Sequence, residues 1–247
     1  MTRFHLPPGA IDGNRVIFDA AAAHHLGRVR RAGVGDLVQA VAAGGQLLTV
    51  RLTAVQARRA EGLIESRREL ATESRCHLTL AQGIPKGDKM ESIVRMTTEL
   101  GVTRVIPLIT ARTVVRLEPA RRSTRVARWH RVAREAAQQS GRAVVPEVLE
   151  PRPLKDWCRE GLAESGLLVC FWEEAREPLA ALLPAAPCTR ATVVVGPEGG
   201  LDAGEVAGLR EASALVASLG PRLLRTETAG AVAIALLQSR YGDLGTV

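Results

Sequence analysis

Two glycine-rich loops near the end of the chain carry the residue types best suited to holding a ligand. The first reads GPEGGL over Gly196–Leu201, and the second reads SLGPRLLRTETAG over Ser218–Gly230. An apolar run precedes each loop, Thr192–Val195 and Leu215–Ala217, and a helix-like segment follows each. Two consecutive strand-to-helix turns place backbone N–H groups and bare glycine surfaces at one end of a sheet, where open α/β sheets bind ligands.

The second loop contains side chains that a simple turn does not need. Leu223, Leu224 and Arg225 directly precede Thr226–Thr228, which begins the next helix-like segment. A ligand with an apolar ring and a polar tail would use the leucines and the arginine together. The first loop alone is equally compatible with an ordinary tight turn, so the prediction of a ligand site rests on the pair. The Gly-x-x-x-x-Gly-Lys-Ser/Thr pattern is absent, which disfavours a kinase or an ATPase.

The positive charge of the chain is concentrated outside these loops. The 247 residues carry a formal net charge of +7. Residues 76–145 hold 13 basic and 5 acidic side chains, whereas residues 146–247 hold 9 basic and 14 acidic ones. Because guanidinium groups form paired hydrogen bonds with phosphate oxygens, an arginine-rich block favours contact with nucleic acid. A solvated, solubilising face is the alternative interpretation.

Composition and spacing argue against several classes of protein. No apolar run approaches the roughly 20 residues that span a bilayer, and the first residues lack the apolar core of a signal peptide. The cysteines show no C-x-x-C spacing, so we expect neither a disulfide nor a metal site. Unpaired cysteines are typical of a reducing compartment, so we expect a cytoplasmic location. Aromatic residues make up only 3% of the chain, which argues against base stacking as the main mode of RNA recognition.

Residues 1–72 have the pattern of a small β-rich domain. Short apolar alternations separated by glycine-containing turns occur at Arg15–Phe18, Leu37–Ala40, Gln46–Leu52 and Glu61–Ile64. A short helix is expected around Ala20–Val29. This pattern predicts a small barrel, and the polar stretch Arg67–Arg75 is interpreted as its boundary.

From Cys76 onward the pattern changes to alternating strands and helices, which predicts an α/β fold. Strand-like runs are His77–Gln82, Arg104–Ile109, Leu167–Phe171, Thr192–Val195 and Leu215–Ser218, with a short one at Val144–Leu149. Helical runs are Lys86–Leu100, Arg121–Gln139, Leu154–Glu164, Asp202–Ala212 and Glu227–Tyr241. Strands spaced by helices of this length indicate a mainly parallel sheet covered on both faces. Gly101 is expected to end the first helix, and Asp202 with Glu205 to form a capping box.

The second of these helical runs is amphipathic and unusually basic. One face is apolar, and the remainder is wrapped by Arg121, Arg122, Arg125, Arg128, Arg131 and Arg134. Only Glu135 is available along the helix to pair with them. An amphipathic helix with a solvated face explains this pattern, but the excess of unpaired charge favours binding of a polyanion.

Several segments, in the expected order, resemble the RsmE family of RNA methyltransferases, which modify N3 of a uridine in small-subunit ribosomal RNA. The matching segments are Lys86–Met90, Thr98–Val102, Arg128–Trp129, Glu135–Arg142, Gly196–Leu201 and Leu219–Ala229, with His24–Asp36 nearer the N-terminus. The resemblance covers nearly the whole chain. One departure is Arg30, where the family usually has Leu, and it touches no expected catalytic group.

The resemblance implies the fold, the methyl donor and the partners. It implies a SPOUT-type parallel sheet with a deep C-terminal trefoil knot for residues 73–247, and a PUA-like RNA-binding β-barrel for residues 1–72. It further implies S-adenosyl-L-methionine as the cofactor, an obligate homodimer, and 16S ribosomal RNA or the small ribosomal subunit as partner, without metal or membrane. Alternatives left open are methylation of another base or a ribose hydroxyl, and a non-catalytic RNA-binding or ribosome-assembly module.

The resemblance also assigns the site residues. The residues expected to bind the cofactor are Phe171, Trp172, Gly196, Pro197, Gly199, Gly200, Leu219, Gly220, Leu223, Leu224, Thr226, Thr228 and Ala229. Neutral uracil N3 carries a proton, so a group must remove it or stabilise the developing anion. We expect Arg225 to stabilise the anion, and Glu198 or Glu227 to accept the proton or to steady Arg225. Both carboxylates could instead only tie down the loops by accepting backbone N–H bonds.

RNA binding is predicted for basic positions in both halves of the chain. These are Arg3, Arg28, Arg30 and Arg31 in the barrel, and Lys86, Lys89, Arg112, Arg121, Arg125, Arg128 and Arg142 in the basic block. They are expected to contact phosphate, which makes binding dependent on salt.

Overall fold

The computed structural model describes residues 3–115, 119–160, 162 and 166–245, apart from the side chains of residues 119–121. The chain forms two compact units. The first runs to Glu73 and also includes Ala137–Val145, and the second comprises Ser74–Ala136 and the chain from Pro146 onward. Within the described ranges, no helix is both long and apolar enough to cross a membrane.

The first unit is built on a six-stranded mixed sheet in the order β1-β4-β5-β6-β3-β2. Its strands are β1 (Arg3–His5), β2 (Ile11–Asp12), β3 (Arg15–Phe18), β4 (Leu37–Val41), β5 (Gln46–Val55) and β6 (Ala60–Glu69). Strand β1 pairs with β4 in parallel, and the other pairs are antiparallel. All four predicted strands are confirmed, three of them with greater length.

Helix α1 (Ala20–His24) continues into a π-helical turn (His25–Val29) where a single short helix was predicted. Asp19 caps α1 by accepting a hydrogen bond from the backbone N–H of Ala22 at 2.8 Å. The core of this unit contains Phe4 and Phe18, whose rings meet edge to face at 6.0 Å.

The second unit is built on a parallel seven-stranded sheet in the order β10-β8-β7-β12-β11-β13, with β9 also paired to β8. Its strands are β7 (His77–Gly83), β8 (Val102–Ile109), β9 (Glu147–Val148), β10 (Arg152–Pro153), β11 (Leu167–Phe171), β12 (Arg190–Val195) and β13 (Leu215–Ala217). The predicted α/β class and the parallel sheet are therefore confirmed. The run of buried valines in β12 fits a central parallel strand.

The helices are α2 (Lys89–Glu99), α3 (Pro119–Ser140), α4 (Leu154–Glu160), α5 (Leu179–Leu182), α6 (Ala203–Glu211) and α7 (Thr226–Tyr241). Helix α7 packs against α2, β7 and β12, whereas α6 packs against α4 and β13. Gly101 follows α2 with φ of +89°, a conformation that glycine adopts without strain. The predicted capping box of α6 is present, since Asp202 and Glu205 each accept the other's backbone N–H.

Candidate active site

The two glycine-rich loops enclose a cavity of about 560 Å³ at the carboxyl ends of β11, β12 and β13. Among the predicted cofactor-binding residues, those on its wall are Phe171, Trp172, Gly196, Pro197, Gly199, Gly200, Leu219, Gly220, Leu223, Leu224, Thr226 and Ala229. Thr228 is not on the wall. The structure therefore brings together almost the whole set assigned from the sequence.

The first loop is too tightly folded to accept side chains at its glycines. A Cβ on Gly196 would lie 2.7 Å from the backbone carbon of Gly200, so even alanine would force the loop apart. Gly200 has φ of +72°, and a Cβ there would collide with the carboxylate of Glu173. At the end of β7, a Cβ on Gly83 would come within 2.5 Å of Pro197. The loop conformation therefore depends on glycine at all three positions.

Buried hydrogen bonds join the two loops. The Thr226 hydroxyl donates to the Gly196 carbonyl at 2.6 Å. The Gln82 side-chain amide donates to the Thr226 hydroxyl at 2.9 Å and to the Gly196 carbonyl at 3.2 Å. Gln82 and Thr226 are buried, so these bonds are shielded from water. Gln82 was not assigned to the site from the sequence, although a polar residue ending an apolar strand is a usable signal.

Arg225 stands at the start of α7 with its side chain exposed to solvent. It is the N-cap residue in extended conformation, and its side chain makes no capping hydrogen bond. Arg225 and the positive end of the helix dipole thus lie together on the cavity wall. Leu223 is 86% exposed, so this part of the second loop is open to a ligand.

Lys89 lies between the two carboxylates that were predicted to serve in catalysis. Its ammonium nitrogen lies 3.0 Å from Glu198 Oε1 and 3.5 Å from Glu227 Oε2. Hydrogen bonding to Glu198 raises the pKa of Lys89 above its ordinary value. Lys89 was assigned to RNA binding from the sequence, but it lies on the cavity wall.

Glu198 is held in its ionised form. Partial burial works to raise the pKa of Glu198, but hydrogen bonds from its own backbone N–H, from Lys89 and from the Lys86 backbone N–H outweigh it. The net result is a pKa below the ordinary glutamate value. Its two carboxylate oxygens lie 3.1 and 3.2 Å from the Lys86 nitrogen. Glu198 therefore ties the first loop to the segment before α2, one of the three roles considered for it.

Arg112 supports the other end of the first loop. Its guanidinium donates to the Gly199 carbonyl at 2.7 Å and lies 3.8 Å from Glu173 Oε1. Glu173 also lies on the cavity wall and was not assigned from the sequence. Arg112 thus has a structural partner in the loop, beside its predicted contact with RNA.

The arginines of α3 are partly neutralised by α2. Arg128 Nε lies 2.8 Å from Glu91 Oε1, while Arg131 Nε is 3.9 Å from Glu135 Oε1. Glu135 is the partner expected along the helix, and Glu91 of α2 is a further partner that a reading of the helix alone does not reveal. Arg125 is half-exposed. The side chain of Arg121 lies outside the described residues.

In the first unit, Arg28, Arg30 and Arg31 are exposed, as phosphate contacts require. Arg3 donates a hydrogen bond to the Gly141 carbonyl and is half-buried. Arg142 is only 4% exposed and lies 2.5 Å from a Glu73 carboxylate oxygen. The assignment of Arg142 to RNA binding is therefore corrected, since a buried, ion-paired guanidinium offers no surface to RNA.

No group of three or more histidine, cysteine, aspartate or glutamate side chains with the geometry of a metal site occurs in the part of the chain that the structure describes. The cavity instead offers glycine backbone, apolar side chains and cations. These are groups suited to an organic ligand with a ring and a charged tail.

Comparison with known proteins places the fold in a family. Residues 72–238 match the model of the RNA methyltransferase domain. The Bacillus subtilis ribosomal RNA small subunit methyltransferase E is 32% identical over 219 residues, covering 87% of this chain and 86% of that protein. The chain belongs to the ribosomal RNA small subunit methyltransferase E family. The resemblance to RsmE proteins seen in the sequence motifs is thereby confirmed.

Solved structures of similar proteins share this fold over almost the whole length. The Neisseria gonorrhoeae ribosomal RNA small subunit methyltransferase E, solved bound to S-adenosyl methionine, is 34% identical with a TM-score of 0.86. It covers 98% of this chain and 99% of its own. A Legionella pneumophila protein solved with the bound cofactor SAM is 30% identical with a TM-score of 0.91, covering 98% and 99% of the two chains. The family therefore includes proteins that hold this cofactor on the same fold.

Proposed function

We propose that the protein transfers the methyl group of S-adenosyl-L-methionine to N3 of a uridine in 16S ribosomal RNA. The observation that carries this proposal is the cavity between two joined glycine-rich loops, with Arg225 at the start of α7 on its wall. Membership of the ribosomal RNA small subunit methyltransferase E family supports the substrate class.

The cavity fits the proposed cofactor in size and in the chemistry of its lining. Its volume of about 560 Å³ lies within the range of small-molecule sites. Leu219 and Leu224 supply apolar contact for adenine, and the backbone of both loops supplies hydrogen-bonding groups. A Cβ on Gly220 would meet no protein atom within 4 Å, so the space beside this glycine is open.

When bound, S-adenosylmethionine would supply an electrophilic methyl group for N3, with the electron pair of the methyl–sulfur bond staying on sulfur. The protein must orient uracil and stabilise the negative charge that develops on its oxygens as the N3 proton leaves. We assign this role to Arg225 and the N-terminal N–H groups of α7, and the position of Arg225 at the N-cap of that helix supports the assignment.

The RNA is proposed to lie along exposed basic side chains of both units. In the first unit these are Arg28, Arg30 and Arg31, and in the second they are Lys86 together with the half-exposed Arg125. The excess of basic residues over 76–145 supports phosphate contacts. Arg142 is excluded because it is buried.

Further features of the family are proposed for this chain. They are a PUA-like RNA-binding barrel in residues 1–72, a methyltransferase domain with a deep trefoil knot in residues 73–247, a homodimer and a cytoplasmic location. The contact of Thr226 with Gly196, which brings the end of the chain back against the first loop, supports the knot. The six-stranded sheet supports the barrel. Light scattering tests the dimer, and an active 26.4 kDa monomer would contradict it.

Mass mapping of 16S ribosomal RNA tests the proposed reaction. RNA from a deletion strain should lack one methyl group on a uracil base, and the purified protein with S-adenosylmethionine should restore it. The Arg225→Ala protein, added at the same concentration, serves as the matched control and should restore it much more slowly. A methyl group restored on a ribose or another base would support the alternative methyltransferase, and no transfer would support a non-catalytic RNA-binding protein.

A further inference from the structure

We propose that Lys89 is a positioning residue of the methyl-transfer site, with Glu198 and Glu227 acting as its anionic partners and not as proton acceptors. The inference rests on the proposed methylation of uracil N3. Lys89 belongs to the Lys86–Met90 motif and lies on the cavity wall.

One ammonium group connects three segments of the chain. Lys89 is the first residue of α2, Glu198 belongs to the first loop, and Glu227 lies in the first turn of α7. The 3.0 Å and 3.5 Å contacts of the Lys89 nitrogen bring these segments together beside Arg225. Moving Lys89 would therefore disturb both the loop and the helix start that frame the cavity.

Glu198 is poorly suited to accept the N3 proton. A general base works best when its pKa is close to the working pH. Partial burial acts to raise the pKa of Glu198, but hydrogen bonds from its own backbone N–H, from Lys89 and from the Lys86 backbone N–H outweigh it and keep that pKa below its ordinary value. An imide N–H is a far weaker acid than a carboxylic acid, so a carboxylate this weakly basic gives little driving force for proton removal.

Glu227 depends on Lys89 in a different way. Its Oε2 atom is shielded from solvent and, in the described part of the chain, has no hydrogen bond. The Lys89 ammonium, 3.5 Å away, is the cation that compensates it. Without that charge a shielded carboxylate oxygen would be uncompensated, which is costly, and the first turn of α7 would shift to expose it. Arg225 is two residues away and would shift with it.

The methyl transfer can then proceed without a proton acceptor supplied by the protein. The N3–H bond breaks as hydroxide from the solvent takes the proton to form water. The electron pair left on N3 forms the new N3–carbon bond, and the methyl–sulfur bond breaks with its electron pair staying on sulfur. Leu223 and Arg225 are exposed, so water reaches this part of the site. Arg225 stabilises the electron-rich uracil, and Lys89 keeps Arg225 in position through Glu227.

Single-turnover methylation of 16S ribosomal RNA tests the assignment with three variants. Lys89→Met removes the ammonium and keeps the aliphatic stem, whereas Lys89→Arg keeps the charge. Arg95→Met removes the same charge from an exposed position of the same helix. We expect Lys89→Met to slow transfer about 10²-fold, the effect of a small misplacement of reacting groups, with little change in KM for RNA. Lys89→Arg should recover much of the rate, and Arg95→Met should match the wild type.

The proton acceptor is tested with Glu198→Gln and Glu227→Gln. Neither should slow transfer more than Lys89→Met does, and adding Glu198→Gln to Lys89→Met should cause little further loss. The pH profile of the transfer rate should have the same shape in each glutamine variant as in the wild type. A glutamine variant that loses the rise of rate with pH would identify that carboxylate as the base and overturn the proposal, as would a wild-type rate in Lys89→Met.

A carboxyl ¹³C NMR titration of Glu198 gives a readout that does not need activity. The titration midpoint should lie below the ordinary glutamate value in the wild type and should rise in Lys89→Met but not in Arg95→Met. An unchanged midpoint in Lys89→Met would also overturn the inference. If the wild-type protein methylates no uridine, the proposed function fails, while the titration still decides whether Lys89 controls Glu198.

Discussion

The hydroxyl of Thr226 donates a hydrogen bond to the carbonyl oxygen of Gly196 at 2.6 Å, joining two loops that are 30 residues apart in the chain. Gln82 donates to both groups from the end of β7. Because all three residues are buried, the position of the start of α7 is fixed against the first loop by bonds that water cannot replace. The cavity therefore depends on this contact for its shape.

Replacing Thr226 by valine should test this dependence. Valine keeps the shape of threonine but leaves the Gly196 carbonyl without its hydroxyl donor and the Gln82 amide without its hydroxyl acceptor. We expect the free energy of unfolding to fall by about 1–3 kcal/mol, the cost of buried groups left unpaired. Affinity for S-adenosylmethionine, measured by calorimetry, should fall as well. Thr226→Ser keeps the hydroxyl and should lose much less of both, and equal losses in the two variants would contradict this role.

Alanine at Gly196 should weaken cofactor binding through a steric effect. Its Cβ would lie 2.7 Å from the Gly200 carbonyl carbon, which belongs to backbone and cannot rotate away. Gly208 in α6 is a matched control, since a Cβ there meets nothing within 4 Å. Gly208→Ala should stabilise the protein by about 0.5–1 kcal/mol, because alanine is the better helix former, and leave cofactor affinity unchanged. Unchanged calorimetric affinity in Gly196→Ala would show that the loop tolerates expansion.

The order and type of the elements in the second unit could be predicted because each has a local cause. Leu167–Phe171 is a short apolar run, and the structure has a strand with the same bounds. Asp202 and Glu205 form the capping box that their spacing predicts. The ligand loops could be located because glycine and proline are typical of turns, so their positions in the sequence predict where turns occur.

Contacts between distant segments could not be predicted in this way. Arg67–Glu69 was interpreted as part of a polar boundary, but it pairs with the start of β5 through backbone hydrogen bonds, which composition does not reveal. Arg142 and Lys89 were grouped with surface cations because their partners, Glu73 and Glu198, are remote in sequence. Charge alone does not separate an arginine that binds RNA from one that is buried in an ion pair.

Two buried thiols predict a loss of stability at alkaline pH. Burial raises the pKa of Cys76 and of Cys170 to about 12. An unfolded thiol ionises near its ordinary pKa of about 8.5, so the folded state retains protons that the unfolded state loses. The contribution of these thiols to the free energy of unfolding is complete below the pKa of the unfolded thiol, about 8.5, and declines as the pH rises toward 12. Urea unfolding from pH 8 to 11 should show a shallower decline for Cys170→Ala than for the wild type, and identical slopes would contradict the assignment.

The exposed arginines that follow α1 predict salt-dependent RNA binding. Arg28 and Arg30 are both exposed, and phosphate contacts release counterions. Replacing both with glutamine should make the plot of log affinity against log salt shallower by about 0.7–0.9 for each phosphate that is no longer neutralised. Arg58→Gln removes a charge from another exposed position and should change the slope less. Filter binding to a 16S ribosomal RNA fragment at several salt concentrations measures this, and equal slopes throughout would indicate a solvated face.

Arg225 should affect the rate of methyl transfer far more than cofactor binding. Arg225 is an exposed residue of the cavity wall at the positive end of α7, whereas leucine side chains and glycine backbone form the lining assigned to adenine. Arg225→Ala removes one preorganised donor to the developing uracil anion, so single-turnover methylation should slow by about 10²–10³-fold. Calorimetric affinity for S-adenosylmethionine should change little, because the groups that hold the cofactor remain.

Arg225→Lys separates the shape of the cation from its charge. A guanidinium can donate to two acceptors in a fixed plane, whereas an ammonium acts as a point charge, so lysine should rescue the rate poorly. Arg222→Ala is the matched control, since it removes an arginine from the same loop and the same cavity wall but lies farther from the helix start. It should slow transfer much less than Arg225→Ala. A wild-type rate in Arg225→Ala, or equal losses in the two alanine variants, would move anion stabilisation away from Arg225 and leave the helix N-terminus as the remaining donor.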